Sequence, residues 1–172
     1  EITPETERCQ AAYDAQQKIT SASINAIREE LNQETLTALI NNINELSRAA
    51  VTYAIQEGGR QENERYIKRA DAMREASGGE FIFSRQEFES ARVAEMGEHA
   101  KLILSAQSET TRCAAMVDLI SRTPHKRKRL KYIAQLGKMI NGYVHINVAA
   151  GMMAGGIAEN HAYLQRLDAG IR

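Results

Sequence analysis

The chain has 172 residues with 22 basic and 22 acidic side chains, so its formal net charge is zero and no overall field steers polyanions to it. Two prolines, no tryptophan and 5% aromatic residues, beside plentiful alanine, glutamate, glutamine and arginine, exclude a sheet protein. What remains is one all-α domain over residues 1–172 with enough apolar content for a core.

Glu1 opens the chain, as it does after removal of a secretory leader; a trimmed chain would open the same way. No Asn-x-Ser/Thr sequon supports a glycosylated secreted protein. The first helix is predicted from Thr3 as N-cap and Pro4 as first helical residue. Glu5 and Glu7 complement the positive end of the dipole. Tyr13, Ile24, Ile27 and Leu31 recur at helical spacing, and the stripe resumes as Leu36, Leu39, Ile40, Ile43, Leu46 and Ala50. The step from Leu31 to Leu36 rotates the stripe by about 140°, which predicts a kink, a break or a new packing partner near Asn32. Gly58-Gly59 is expected to end this arm, at 3–57.

A small helical appendage follows over 60–83. Tyr66, Ile67, Ala70 and Met73 lie on one side, Glu64 and Lys68 form an i,i+4 pair, and Gly78-Gly79 is the stop. Phe81, Ile82 and Phe83 form a short extended linker and a candidate contact surface for a partner. Ser84-Arg85-Gln86-Glu87 is a capping box, and Phe83 and Phe88 hold the hydrophobic-staple positions, so a helix is predicted from 85 to 122. Its core positions, Met96, His99, Ile103, Ala106, Thr110, Cys113, Val117 and Ile120, alternate steps of three and four.

Thr123-Pro124 repeats the first start signal, and the last helix is predicted over 124–168. Its apolar stripe is broad (Leu130, Ile133, Leu136, Ile140, Tyr143, Val144, Val148, Met152, Ile157, Leu164), which marks it as the central helix. It opens with PHKRKRLK, where Lys126, Arg127, Lys128, Arg129 and Lys131 stand at the positive end of the helix dipole. Such a cluster needs a counter-charge. The candidates are Glu1, Glu5, Glu7 and Asp14 of the same chain, an acidic partner subunit, a lipid head-group surface, or nucleic acid. Without interleaved aromatics the nucleic-acid signal is weak.

If the first and third helices are antiparallel, Cys9 and Cys113 fall about 9 and 12 Å from one end at 1.5 Å per residue. This predicts a Cys9–Cys113 disulfide, hence an oxidising compartment, against two reduced core thiols. The expected architecture is an elongated antiparallel three-helix bundle, up–down–up, with the appendage at the far end. From Met139 to Ala158 no residue is charged, but Asn141, His145, Asn147 and the glycines weigh against a membrane span. Gly151 and Gly155 form a small-xxx-small face for close helix packing, within the chain or in self-association.

The four histidines, His99, His125, His145 and His161, form no Glu-x-x-His motif. No redox, phosphate-binding, dinucleotide or nucleophile-elbow motif is present, so neither enzymatic activity nor a metal or cofactor is expected. Met96, Met116, Met139, Met152 and Met153 at helical spacing read as core rather than as an adaptable groove.

The order of elements, a long first helix, a small appendage and two long helices, resembles the minor pilin at the pilus tip of type IV secretion and conjugation systems. The likeness is one of layout over most of the chain; no motif carries a residue role across. It implies a periplasmic or extracellular, non-enzymatic protein acting by protein–protein contact in a bacterial envelope assembly. Two other readings stand beside it. One is a ligand sensor with a pocket near Tyr143, His145 and Met152; the other is a cytosolic nucleic-acid-associated protein using the basic segment.

Overall fold

In a computed structural model the chain is all-α, and residues 3–76 and 85–171 are described. Four helices follow in order: α1 Pro4–Glu29, α2 Gln33–Ala76, α3 Arg85–Arg122 and α4 Lys126–Ile171. Thr3 caps α1 by accepting from the Thr6 amide at 3.2 Å, with Pro4, Glu5 and Glu7 placed to suit the exposed amides and the dipole. α3 is described from Arg85 onward, and the capping signal at Ser84 lies outside the described residues.

The irregularity near Asn32 is a complete reversal. Glu30 leaves the helix with φ −144°. Asn32 then caps α2: its Oδ1 accepts from the Thr35 amide at 2.9 Å, while Thr35 Oγ1 accepts from the Asn32 amide at 3.0 Å. This reciprocal pair satisfies two backbone donors at once, so the turn is locally favoured. The predicted single arm is therefore two antiparallel helices. Gln16 and Thr20 of α1 donate to the Asn42 carbonyl, and Tyr13 stacks on Tyr53.

Ser47 receives the Tyr143 hydroxyl proton and Asn63 that of Tyr163, which makes α2 and α4 parallel. α3 and α4 form a tight antiparallel hairpin, and α4 touches all three other helices. The expected three-helix arrangement is thus replaced by four helices. The start of α4 also shifts. Thr123 Oγ1 donates to the Leu119 carbonyl and so closes α3, and His125 takes the capping place by accepting from the Arg129 amide at 2.9 Å.

Gly58 and Gly59 do not end a helix; α2 runs through them as far as Ala76. The reason is tertiary. A Cβ built on Gly58 would lie 2.0 Å from the Met152 carbonyl oxygen, and one on Gly155 would lie 2.1 Å from that of Ile55. A Cβ on Gly151 would lie 2.7 Å from the Ala54 Cβ. These glycines let the backbones of α2 and α4 touch, a gain in packing that offsets the roughly 1 kcal/mol each costs a helix against alanine. The face that sequence offered for self-association, Gly151 and Gly155, is filled by α2 of the same chain.

The core is a continuous cluster in which Ile27, Leu39, Ile120, Ile133 and Leu136 are essentially inaccessible. The α3 stripe divides. Cys113, Val117 and Ile120 are buried, whereas Met96 and Ile103 are 51% and 40% exposed. Despite the uncharged stretch 139–158, no described helix is long and apolar enough to cross a membrane.

Candidate functional site

Lys126, Arg127, Lys128 and Lys131 are exposed on the first turns of α4, and Arg129 is half-buried. None of the five makes an ion pair among the described residues. The expected intramolecular neutralisation by Glu5, Glu7 and Asp14 does not occur, and Glu1 lies outside the described residues. Because α1 folds back on α2, Glu5 sits beside Arg48, Ala49 and Thr52, in the middle of the bundle. From the Asn42 and Ser47 contacts, Glu5 and Glu7 lie on the order of 25 Å along the axis from Lys131, at 1.5 Å per residue. That is well beyond a Debye length of about 8 Å at physiological salt. Glu29, Glu30 and Glu34 of the α1–α2 turn occupy the same end and pair with none of the five.

The other expected contact surface, Phe81, Ile82 and Phe83, lies outside the described residues, as does the cap at Ser84. Met96 and Ile103, expected in the core, instead join Val93 and Leu104 on an apolar face open to solvent. Val93, Met96, Ile103 and Leu104 of α3 are 64%, 51%, 40% and 66% exposed. At 100° per residue they fall within an arc of about 100°, so they form one face.

The Cys9–Cys113 disulfide is not formed; both thiols are free. Cys9 faces Arg48, Ala49 and Thr52, whereas Cys113 faces Leu36, Ile40 and Ile43. These two sets lie about 150° apart around α2, so a helix stands between the sulfurs. Burial, with Glu109 adding to it, pushes the Cys113 thiol up from its ordinary value. Free thiols lend no support to an oxidising compartment.

Tyr143, His145 and Met152 do not share a pocket. Tyr143 floors a cleft between α2 and α3 of about 300 Å³. His145 lines a separate, more polar cleft of about 350 Å³ between α1 and α4, and the Met152 backbone abuts Gly58. Met116 and Met139 line a shallow α3–α4 depression, while Met96 is exposed, so the methionines form no common groove.

Further along, α2, α3 and α4 share a polar layer that sequence reading missed. Asn160, 3% exposed, accepts from the Tyr66 hydroxyl and donates to Glu95 at 3.1 Å. Tyr66 packs on Tyr163 with ring centroids 3.9 Å apart, and Arg166 lies over the Tyr163 ring. Glu62 is buried beside them. Arg65 reaches it at 2.9 Å without hydrogen-bond alignment, so Oε2 has no true hydrogen bond. Burial, reinforced by Glu95 and Glu159, holds the Glu62 carboxyl above its ordinary value despite Arg65. In sequence the layer is marked by Asn160 falling on the helix face that carries Ile157 and Leu164. Among the described residues no group of three His, Cys, Asp or Glu is placed to hold a metal ion.

Compared with known proteins, the chain matches no family model, no curated protein and no solved structure.

Proposed function

We propose that the protein works by protein–protein contact rather than catalysis, docking through the basic end of α4 onto an acidic surface of a partner in a bacterial cell-envelope or secretion and conjugation assembly. One observation carries the reading: five cations at a helix N-terminus have no ion-pair partner among the described residues. Their repulsion from one another and from the dipole is relieved by an external anion, so the cost of assembling them is recovered on binding. The exposed α3 face of Val93, Met96, Ile103 and Leu104 supplies a second, apolar contact. The envelope setting comes from the resemblance read in the sequence, although its long first arm and separate appendage are here α1 and a continuous α2, and not from the cysteines.

The test is photo-crosslinking in the native cell, with a photoreactive residue placed at position 127 and, separately, at position 104. A discrete adduct with one envelope protein, lost when Lys126, Arg127, Lys128 and Arg129 are changed together to glutamine, supports the reading. Adducts with nucleic acid at position 127 would replace it by the nucleic-acid alternative. Adducts confined to cytosolic proteins would remove the envelope setting.

A further inference from the structure

Helices α2 and α3 both pack on α4 but leave a wedge between themselves, walled by Leu36, Ile40 and Ile43 on one side and Cys113 and Val117 on the other, with Tyr143 as floor. The walls are preformed, because Ile43, Cys113, Val117 and Tyr143 all belong to the buried core cluster. A cleft of about 300 Å³ sits at the lower end of small-molecule sites. It is roughly twice the volume of a 150 Å³ cavity that accepts benzene.

The polar groups around this wedge are almost all committed. The Tyr143 hydroxyl donates to Ser47 Oγ, the Thr110 hydroxyl to the Ala106 carbonyl, and the Ser121 hydroxyl to the Asp118 carbonyl. The Asp118 carboxylate is held by Arg122. Asn44 at the mouth is exposed and its carboxamide makes no hydrogen bond among the described residues. Its NH2 group is a neutral donor and its carbonyl oxygen a neutral acceptor. No lysine or arginine lines the cleft and Asp118 is already paired with Arg122, so nothing there offsets the desolvation of an anion, and an anionic ligand is disfavoured.

We propose that this α2–α3 cleft binds an uncharged, largely apolar small molecule, the size of a bicyclic aromatic or a medium-length alkyl chain, with a single hydroxyl, carbonyl or amine set against Asn44. Apolar burial provides the affinity and the absence of a cation provides the selectivity against fatty acids. The site is independent of the basic end and needs no partner protein.

The full chain is titrated with N-phenyl-naphthylamine, a neutral fluorophore that brightens when buried. Saturable single-site binding is expected, displaced by decanol and at least tenfold less effectively by decanoate at neutral pH. Ala114→Phe places a ring in the cleft from an exposed wall position and should weaken binding at least tenfold, with helicity and melting unchanged. No binding, or equal displacement by decanoate, overturns the proposal. So does binding that survives Ala114→Phe but is lost in Leu104→Ser, which would place the probe on the open α3 face. If Ala114→Phe fails to fold, the wild-type thiols decide. Decanol should slow alkylation of Cys113 at least fivefold and leave Cys9 unchanged, and failure to protect Cys113 refutes the site. A dimer that excludes the fluorophore would show that a second copy fills the cleft, and would equally overturn the proposal.

Discussion

The α2–α4 crossing makes Gly155→Ala a test of whether close backbone contact, rather than helix propensity, governs this part of the fold. In an unconstrained helix the substitution stabilises by about 0.5–1 kcal/mol. At Gly155 the new methyl would sit 2.1 Å from the Ile55 carbonyl oxygen and 2.9 Å from the Gly59 nitrogen, and both are backbone atoms. No rotamer change relieves such a clash. The helices must separate by more than 1 Å to restore the 3.4 Å of ordinary contact, which also loosens Gly58 against Met152 and Gly151 against Ala54. Overpacking of this kind typically costs about 1–3 kcal/mol, which outweighs the propensity gain. The expected net loss of about 1–2 kcal/mol corresponds to a fall in Tm of roughly 2–8 °C for a chain of this size. Gly142→Ala is the internal control, since nothing lies within 4 Å of its built Cβ, and it should raise stability by about 0.5–1 kcal/mol. The assay is urea unfolding followed by circular dichroism, with Tm measured in parallel. If Gly155→Ala proves as stabilising as Gly142→Ala, the backbones do not touch and the argument fails.

Four further outcomes are expected. The Glu62 carboxyl titrates above its unfolded value, so the folded state holds the extra proton; its contribution is favourable at low pH and is lost as pH rises through the folded pKa, above the ordinary 4.5. Glu62→Gln should therefore raise urea stability at pH 7 by about 1 kcal/mol and leave it nearly unchanged below the unfolded pKa. Glu57 is opposite in sign: hydrogen bonds from Arg60 and Gln61 lower its pKa, so its contribution is present at neutral pH and fades on acidification, and Glu57→Gln should flatten the acid limb of the stability profile. Asn32→Ala removes the reciprocal cap of α2 and should cost about 1 kcal/mol in the same unfolding assay. Intact-mass analysis should show Cys9 alkylating first in the native state and Cys113 much more slowly, through the α2–α3 cleft, with no need for reductant; a requirement for reductant would contradict the free thiols.

Helix content and the start at Thr3 were legible because they rest on local chemistry. Thr3-Pro4 with Glu5 and Glu7 satisfies exposed amides from neighbours in sequence, and the all-α class follows from composition. The stripe from Leu36 to Ala50 likewise announces a buried face whatever covers it; Leu39, Leu46 and Ala50 are in the core. The cap pair at Asn32 and Thr35 was equally local, and its carboxamide-to-hydroxyl reciprocity marks a turn more firmly than the 140° stripe rotation does.

The remaining features depend on what lies opposite. Gly58-Gly59 is a stop signal in isolation, yet here Gly155 and Met152 lie against it, and close packing keeps the helix intact. The cysteine register assumed that the first helix lies beside the third, and the reversal at Asn32 places α2 between them. For the same reason the acidic start of α1 never reaches Lys126–Lys131. Met96 and Ile103 fit the α3 seam by spacing, but spacing says only which residues share a face, not whether another helix arrives to cover it. Sequence alone thus determined the helices, their faces and the charge cluster at the head of α4, because these are set within a turn or two of chain. Only the tertiary structure decided which faces meet, which stay open and which charges find a counter-ion, because those are settled by the direction in which each helix returns.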